Sequence, residues 1–336
     1  MKNNLLKKIY FIMVIMFITV IMFTINSYAF QNTIEEINET EYISIKAADL
    51  STRETEIVNI STKEMGNSLE SYVPKNDVSI FRTTRDIVSP RAIIGGIDNR
   101  WRIVYPTDYP YSAVAYVLTT WQDGSQSEGT AFMISSDKAM SCAHVVYNAE
   151  KGLAQTVQVI PAKNGPFFWN NPYGATYADS VYYPQQYTTA NPLNTSALQY
   201  DWCIMKLDEP MGVESGWLNL QSGGVTIGEQ GEYFYVAGYP VHHENSSNYN
   251  DFQTDEWNEY DREYQYCAAG RILSSSFYYY IHNIDALPGQ SGAPLYKIAE
   301  DGSVYVLGIH AAEASDYLVN YACRISPTII NTATSF

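Results

Sequence analysis

From about residue 92 to the C-terminus, short apolar runs alternate with clusters of Gly, Pro, Asn and Asp. The runs include "YSAVAYVLTTW", "GTAFMISSD", "KAMSCAHVV", "TVQVIPA", "DWCIMKL", "EYFYVAGYP", "YQYCAAGRIL", "FYYYIHNID", "GAPLYKI" and "VYVLGIHAA". Their length, their β-branched and aromatic content and the turn signals between them predict about ten short strands, as in barrels or sandwiches. No long stretch with helical periodicity and no repeat of fixed period accompanies them. The pattern predicts an all-β fold.

Two other patterns precede the strands. Ile9 to Ile25 is almost wholly apolar, follows a short basic segment with Lys2, Lys7 and Lys8, and leads to Ser27 and Ala29 in an A-x-A-like arrangement. That is the form of a secretory signal peptide over residues 1–29, cut after Ala29. Membrane contact is then expected only through this segment during export, with a secreted, extracellular product. Residues 30–91 are acidic, rich in Thr, Ser and Asn, and their apolar positions are isolated, so the segment is not expected to form a core alone. It reads as a pro-region. Arg82, Arg85 and Arg91 stand just before "AIIGGIDNR", which puts maturation near Arg91. The main body is then 92–336, with an N-terminal barrel over about 92–212 and a C-terminal barrel over about 213–336.

Composition narrows the function classes. The 336-residue chain carries a formal net charge of −16, which argues against nucleic acid as a partner, because phosphate binding needs clustered Lys and Arg. Its 29 Tyr, 12 Phe and 6 Trp can fill a core despite that charge. Outside the cytosol an even number of cysteines suggests two bridges, and Cys142, Cys203, Cys267 and Cys323 leave all three pairings open. Cys142 and Cys203 are expected to be spatial neighbours, each two residues from a candidate catalytic position. No cysteine has zinc-site spacing to a histidine, so no structural metal site is expected. The acidic stretch "HHENSSNYNDFQTDEWNEYDRE" reads as an exposed loop, without the ordered spacing of a calcium loop.

Three stretches carry chemistry. "MSCAHVV" puts His144 at the end of an apolar strand. "YDWCIMKL" puts Asp201 at the head of another, and "PGQSGAPLY" presents Ser291 between glycines. A serine hydroxyl is a poor nucleophile at neutral pH and needs a base within hydrogen-bond reach, which His144 supplies. Asp201 would hold the imidazole tautomer. Gly289, lacking a side chain, lets its N–H point with that of Ser291 toward a developing oxyanion. The chain order His, Asp, Ser is that of chymotrypsin-type enzymes, not of subtilisins or α/β-hydrolases.

Together "IIGGIDNR", "PYSAV", "GTAFMI", "AHVVYN", "DWCIMKL", "GQSGAPLY" and "VLGIH" resemble the bacterial glutamyl endopeptidases of the chymotrypsin fold, over residues 92 to 336. The resemblance implies two six-stranded antiparallel β-barrels with the active site in the cleft between them. It also implies a monomeric, cofactor-independent serine endopeptidase acting on peptide or protein substrates. It assigns His144, Asp201 and Ser291 to the triad and Gly289 and Ser291 to the oxyanion hole. His310 in "GIH" takes the place of the pocket histidine that contacts an acidic substrate side chain, with Asp285, Ala286, Ala311, Ala312 and Glu313 around it. Three features depart from the family pattern. Ala286 stands where a hydroxyl residue is usual, Asp285 and Glu313 add negative charge near the pocket, and Cys142 precedes the histidine instead of following it. Glu, then Asp, is the expected residue before the scissile bond. A serine peptidase of other or broad specificity, and an exported binding module on a protease scaffold, are the alternatives.

Overall fold

In the computed structural model of the chain, residues 42–62, 68–74, 99–190, 195–227, 231–241, 263–314 and 319–336 are described. The expected signal segment, the Arg82–Arg91 cluster and most of the acidic loop lie outside them. Four strands come before the first barrel: β1 (Tyr42–Asp49), β2 (Thr55–Ser61), β3 (Ser68–Leu69) and β4 (Trp101–Arg102). The barrel region supplies β5 (Val114–Thr120), β6 (Gln126–Met133), β7 (Lys138–Ser141), the small hairpin β8 (Tyr147–Asn148) and β9 (Gly152–Leu153), then β10 (Thr156–Pro161), β11 (Thr176–Pro184) and β12 (Cys203–Leu207). Antiparallel pairing runs β10-β5-β6-β7-β12-β11 and returns to β10 through Gln158↔Tyr177 and Val159↔Thr176, closing six strands. Phe132, Met140 and Ile204 stand opposite one another on one face of β6, β7 and β12, while Met133 and Met205 share the other face, and all five are fully buried.

The second half contributes β13 (Asn219–Gln221), β14 (Phe234–Gly238), β15 (Tyr266–Gly270), β16 (Ile272–Ser275), β17 (Tyr279–His282), β18 (Pro294–Ile298), β19 (Val304–Ala314) and β20 (Val319–Arg324). Pairing runs β16-β17-β20-β19-β18-β14-β15. Only Arg271 separates β15 from β16, so one bent strand joins both ends of that order and the circuit again has six members. Phe234, Val236, Tyr280, Leu295 and Leu307 form its core. The helix Pro327–Ser335 follows, capped by Ser326 Oγ, which accepts from Ile329 N.

Two findings depart from the sequence reading. β1 and β2 lie within the stretch read as pro-region, yet β1 pairs with β11 and places Ile45, Ala48 and Leu50 in the first barrel's core. Isolated apolar positions suffice because the barrel supplies the opposite face. The cysteines also differ from the two bridges suggested by their even number. All four are buried free thiols. Cys142 and Cys203 are neighbours as expected, because β7 and β12 pair at Ser141↔Cys203, but Cys203 Sγ donates to Cys142 O at 3.2 Å instead of bonding its sulfur.

Candidate active site

β7 ends at Ser141, Cys142 stays extended, and the chain then turns into the single helical turn Ala143–Val146 that carries His144. Asp201 stands just ahead of β12, anchored by the fully buried Trp202 that follows it. One carboxylate holds the histidine twice: Asp201 Oδ2 lies 2.8 Å from the ring Nδ1, and Oδ1 accepts from the His144 backbone N–H at 3.0 Å. Because an ionised carboxylate only accepts, Nδ1 carries the proton and Nε2 is left with its lone pair. Burial draws the His144 pKa down, but the Asp201 charge and the hydrogen bond outweigh it, so the net shift is upward.

Ser291 sits on the loop between β17 and β18. Gly289 and Gly292 on either side both have φ +90. A Cβ on Gly289 would meet Tyr239 O at 2.5 Å, and one on Gly292 would meet Thr130 O at 2.0 Å and Ser141 Oγ at 2.1 Å. No L-residue fits either place without moving backbone. Thr130, on β6, pins the loop: its N–H donates to Ser291 O at 2.9 Å and its Oγ1 to Gly289 O at 2.8 Å. The described residues offer no hydrogen-bond acceptor to the N–H of Gly289 or Ser291. Two such donors left open on one loop can receive a negatively charged oxygen.

The two halves meet at one carbonyl. His310 O accepts from Gly292 N at 2.8 Å and from Cys142 Sγ at 3.2 Å, tying the residue after Ser291 to the residue two before His144. This carbonyl brings the His144–Asp201 pair and the Ser291 loop to one junction of the two halves. Over residues 129–309, more than half its length, the chain matches the model of the trypsin-like peptidase domain. It belongs to the trypsin-like peptidase family. Curated relatives include the extracellular metalloprotease of Bacillus subtilis (strain 168), 25% identical over 73% of this chain and 69% of that one. Another is the glutamyl endopeptidase of Bacillus licheniformis, also 25% identical, over 71% and 67%. Among solved structures, a Glu endopeptidase in complex with MPD superposes with a TM-score of 0.55 at 22% identity, covering 72% of this chain and 99% of that one. That last likeness is one of fold.

His310, another candidate of this peptidase, is buried on β19. Its Nδ1 lies 3.4 Å from Nε2 of His282, a residue that sequence reasoning passed over as an ordinary strand position. Only the strand order could have found it. On β20, Asn320 opposes His282 and Ala322 opposes His310, so two residues of like orientation on a shared neighbour bring the rings together. Ile284 N–H donates to His282 Nδ1 at 3.2 Å, so His282 carries its proton on Nε2 and donates it to His310 Nδ1. His310 must then keep its proton on Nε2, where no described residue accepts it. Burial, and secondarily the charge of nearby His144, press the His310 pKa from 6.5 to about 4, so this donor is neutral at pH 7. Asp285 is buried and its Oδ2 accepts from Asn99 N–H at 2.8 Å. Ala286 is buried close by in sequence. Ala311 is the extra residue of a bulge between His310 and Ala312 in the β19–β20 pairing, and Glu313 opposes Asn320, its side chain lying outside the described residues.

Among the described residues, one group has ligand atoms close enough to share a metal ion: Cys142, His144 and Asp201, all within 4.8 Å of one another. Those atoms already have partners, since the thiol donates to His310 O and the carboxylate takes both donors of His144. Burial first, and the Asp201 charge second, hold the thiol well above its ordinary pKa and keep it protonated.

Proposed function

We propose that this trypsin-like peptidase is a secreted, monomeric serine endopeptidase that cuts peptide chains after glutamate, and secondarily after aspartate. The observation that carries the reading is the contact of His282 Nε2 with His310 Nδ1, which leaves the Nε2–H of His310 as an unused donor, together with a His144–Asp201 pair whose free nitrogen is basic. His144 Nε2 takes the proton of Ser291 Oγ as that oxygen attacks the substrate carbonyl. The open N–H groups of Gly289 and Ser291 receive the oxyanion. The same proton then passes to the leaving amine, an acyl-enzyme forms, and water reverses the steps to release the acid. A substrate carboxylate entering the pocket loses hydration and needs donors in its place, which His310 offers. Asp285, whose position would favour Arg or Lys in a trypsin, has an oxygen engaged by Asn99 N–H, which supports the acidic preference. Export is supported by the leader-like segment at residues 1–29 and by the relative named as extracellular.

A metal-dependent reading has one observation in its favour, the Cys142–His144–Asp201 group, alongside a relative named a metalloprotease. A cleavage profile on a mixed peptide library tests both. Mature protein is expected to cut after Glu in the presence of a chelator and to lose all turnover in Ser291→Ala with its fold intact. Cuts chiefly after Arg, Lys or bulky apolar residues would overturn the pocket assignment. Full activity of Ser291→Ala, or its loss to the chelator alone, would overturn the serine mechanism.

A further inference from the structure

The segment upstream of residue 92 grips the body at two separate places. In the first, β1 adds to the first barrel through five residue pairs with β11, from Ile45↔Pro184 to Asp49↔Ser180. Ile45, Ala48, Leu50 and Ile60 turn into the core and are all under a tenth exposed. The turn between β1 and β2 is built for the purpose. Asp49 Oδ1 accepts from the N–H groups of Ser51 and Thr52, and Arg53 then reaches across to Ala154 O at 2.7 Å and Gln155 O at 2.9 Å. At its far end, Ser61 O accepts from Asn331 of the C-terminal helix.

The second grip lies on the chain between the barrels. Tyr72 and Trp217 exchange backbone hydrogen bonds at 3.0 Å each, and their rings stack with centroids 4.4 Å apart. Trp217 Nε1 donates to Glu70 O, and β3 pairs with β13 at Leu69↔Leu220. The fit is close: a Cβ on Gly216 would lie 2.6 Å from Tyr72 O. No hydrogen bond or strand pairing among the described residues joins residues 42–62 or 68–74 to His144, Asp201 or loop 286–292. Residues 42–62 and 68–74 make the bonds just named elsewhere on the body.

We infer that residues 42–74 stay on the body after the chain is cut, so that the mature peptidase is a two-chain protein whose small chain is a structural partner and not a discarded plug. Cutting near Arg91 removes no contact just described. It converts an internal strand pairing into strand addition by a separate chain, held by main-chain hydrogen bonds and by apolar side chains seated in the barrel core. The inference rests on reading residues 30–91 as a pro-region cut near Arg91, and the experiment separates the two. N-terminal sequencing of the secreted active protein tests the cut. Retention is tested in full-length Ser291→Ala carrying the recognition site of a sequence-specific protease inserted between residues 85 and 91. After cleavage, the piece containing residues 42–74 is expected to co-elute with the body on native gel filtration and to part from it in urea. Arg53→Ala with Tyr72→Ala, placed in the same chain, should speed its release at least tenfold. Separate native peaks for the unmutated pieces would overturn the inference. An unchanged release rate in the double variant would overturn the two-grip assignment.

Discussion

His144 and His310 lie close enough for their charges to interact, yet their surroundings drive them in opposite directions. His144 has an ionised carboxylate 2.8 Å away and its pKa rises, whereas His310 faces another imidazole in a dry setting and its pKa falls to about 4. The raised value has a consequence for rate: the base works only when neutral, so the acidic limb of kcat/KM should lie above the 6.5 of a free imidazole. A pH–rate profile on a Glu substrate checks this, and a limb below 6.5 contradicts it. The signs for stability differ too. His144, raised, contributes stability that is present below 6.5 and lost as pH rises through its folded value. His282 and His310, depressed, cost stability as pH falls from 6.5, because the unfolded chain binds protons that the folded chain refuses. For His310 the difference between 6.5 and about 4 is on the order of 3 kcal/mol. Urea unfolding of His310→Gln should therefore show a smaller acid loss than wild type between pH 6.5 and 4. In activity, His310→Ala should lose about ten- to a hundredfold in kcat/KM after Glu, the size of a hydrogen bond to a charged group, with slow cleavage elsewhere retained.

At the level of elements, the Ser291 loop is held by close approach and not by side-chain bulk. β6 passes beneath it so tightly that Thr130 reaches both Ser291 O and Gly289 O, and the space above Gly292 is filled by Thr130 O and Ser141 Oγ. Gly292→Ala combines an unfavourable φ with a backbone clash. It should destabilise by about 3 kcal/mol or more and abolish activity, as read by chemical denaturation and turnover together. A variant with wild-type stability would show that β6 and the loop can move apart. The same pairing of short elements explains what the sequence showed and hid. Short apolar runs in "DWCIMKL" and "GAPLYKI" mark β12 and β18, whose first three residues are all buried, so that both faces pack. The pairing of His282 with His310 was hidden because it depends on β17 and β19 sharing β20, which no local pattern encodes.

Across the whole molecule, the carbonyl of His310 links both halves, and the Cys142 and Cys203 sulfurs lie beside that junction. Cys142 donates to it and Cys203 donates to Cys142 O, so each thiol serves as a weak donor to a backbone acceptor. Burial raises the pKa of all four thiols, which makes them slow to react while the protein is folded. Without reductant, an alkylating reagent should label none of the four in the native protein and all four after unfolding in denaturant. Fewer than four labels after unfolding would reveal a bridge.

By itself the sequence determined the all-β class, the order His144, Asp201, Ser291, and the glycine frame of the serine loop. These are properties of local alternation, turn chemistry and chain order, each read within a few residues. Tertiary structure alone decided the rest. It showed that the isolated apolar residues of 42–61 complete a barrel face, because burial depends on what stands opposite. It left four thiols unpaired, because bond formation depends on how the sulfurs are placed and not on their number. It set a second histidine against His310 and so fixed which nitrogen carries the proton, because a tautomer is chosen by the hydrogen bond at the ring's other end.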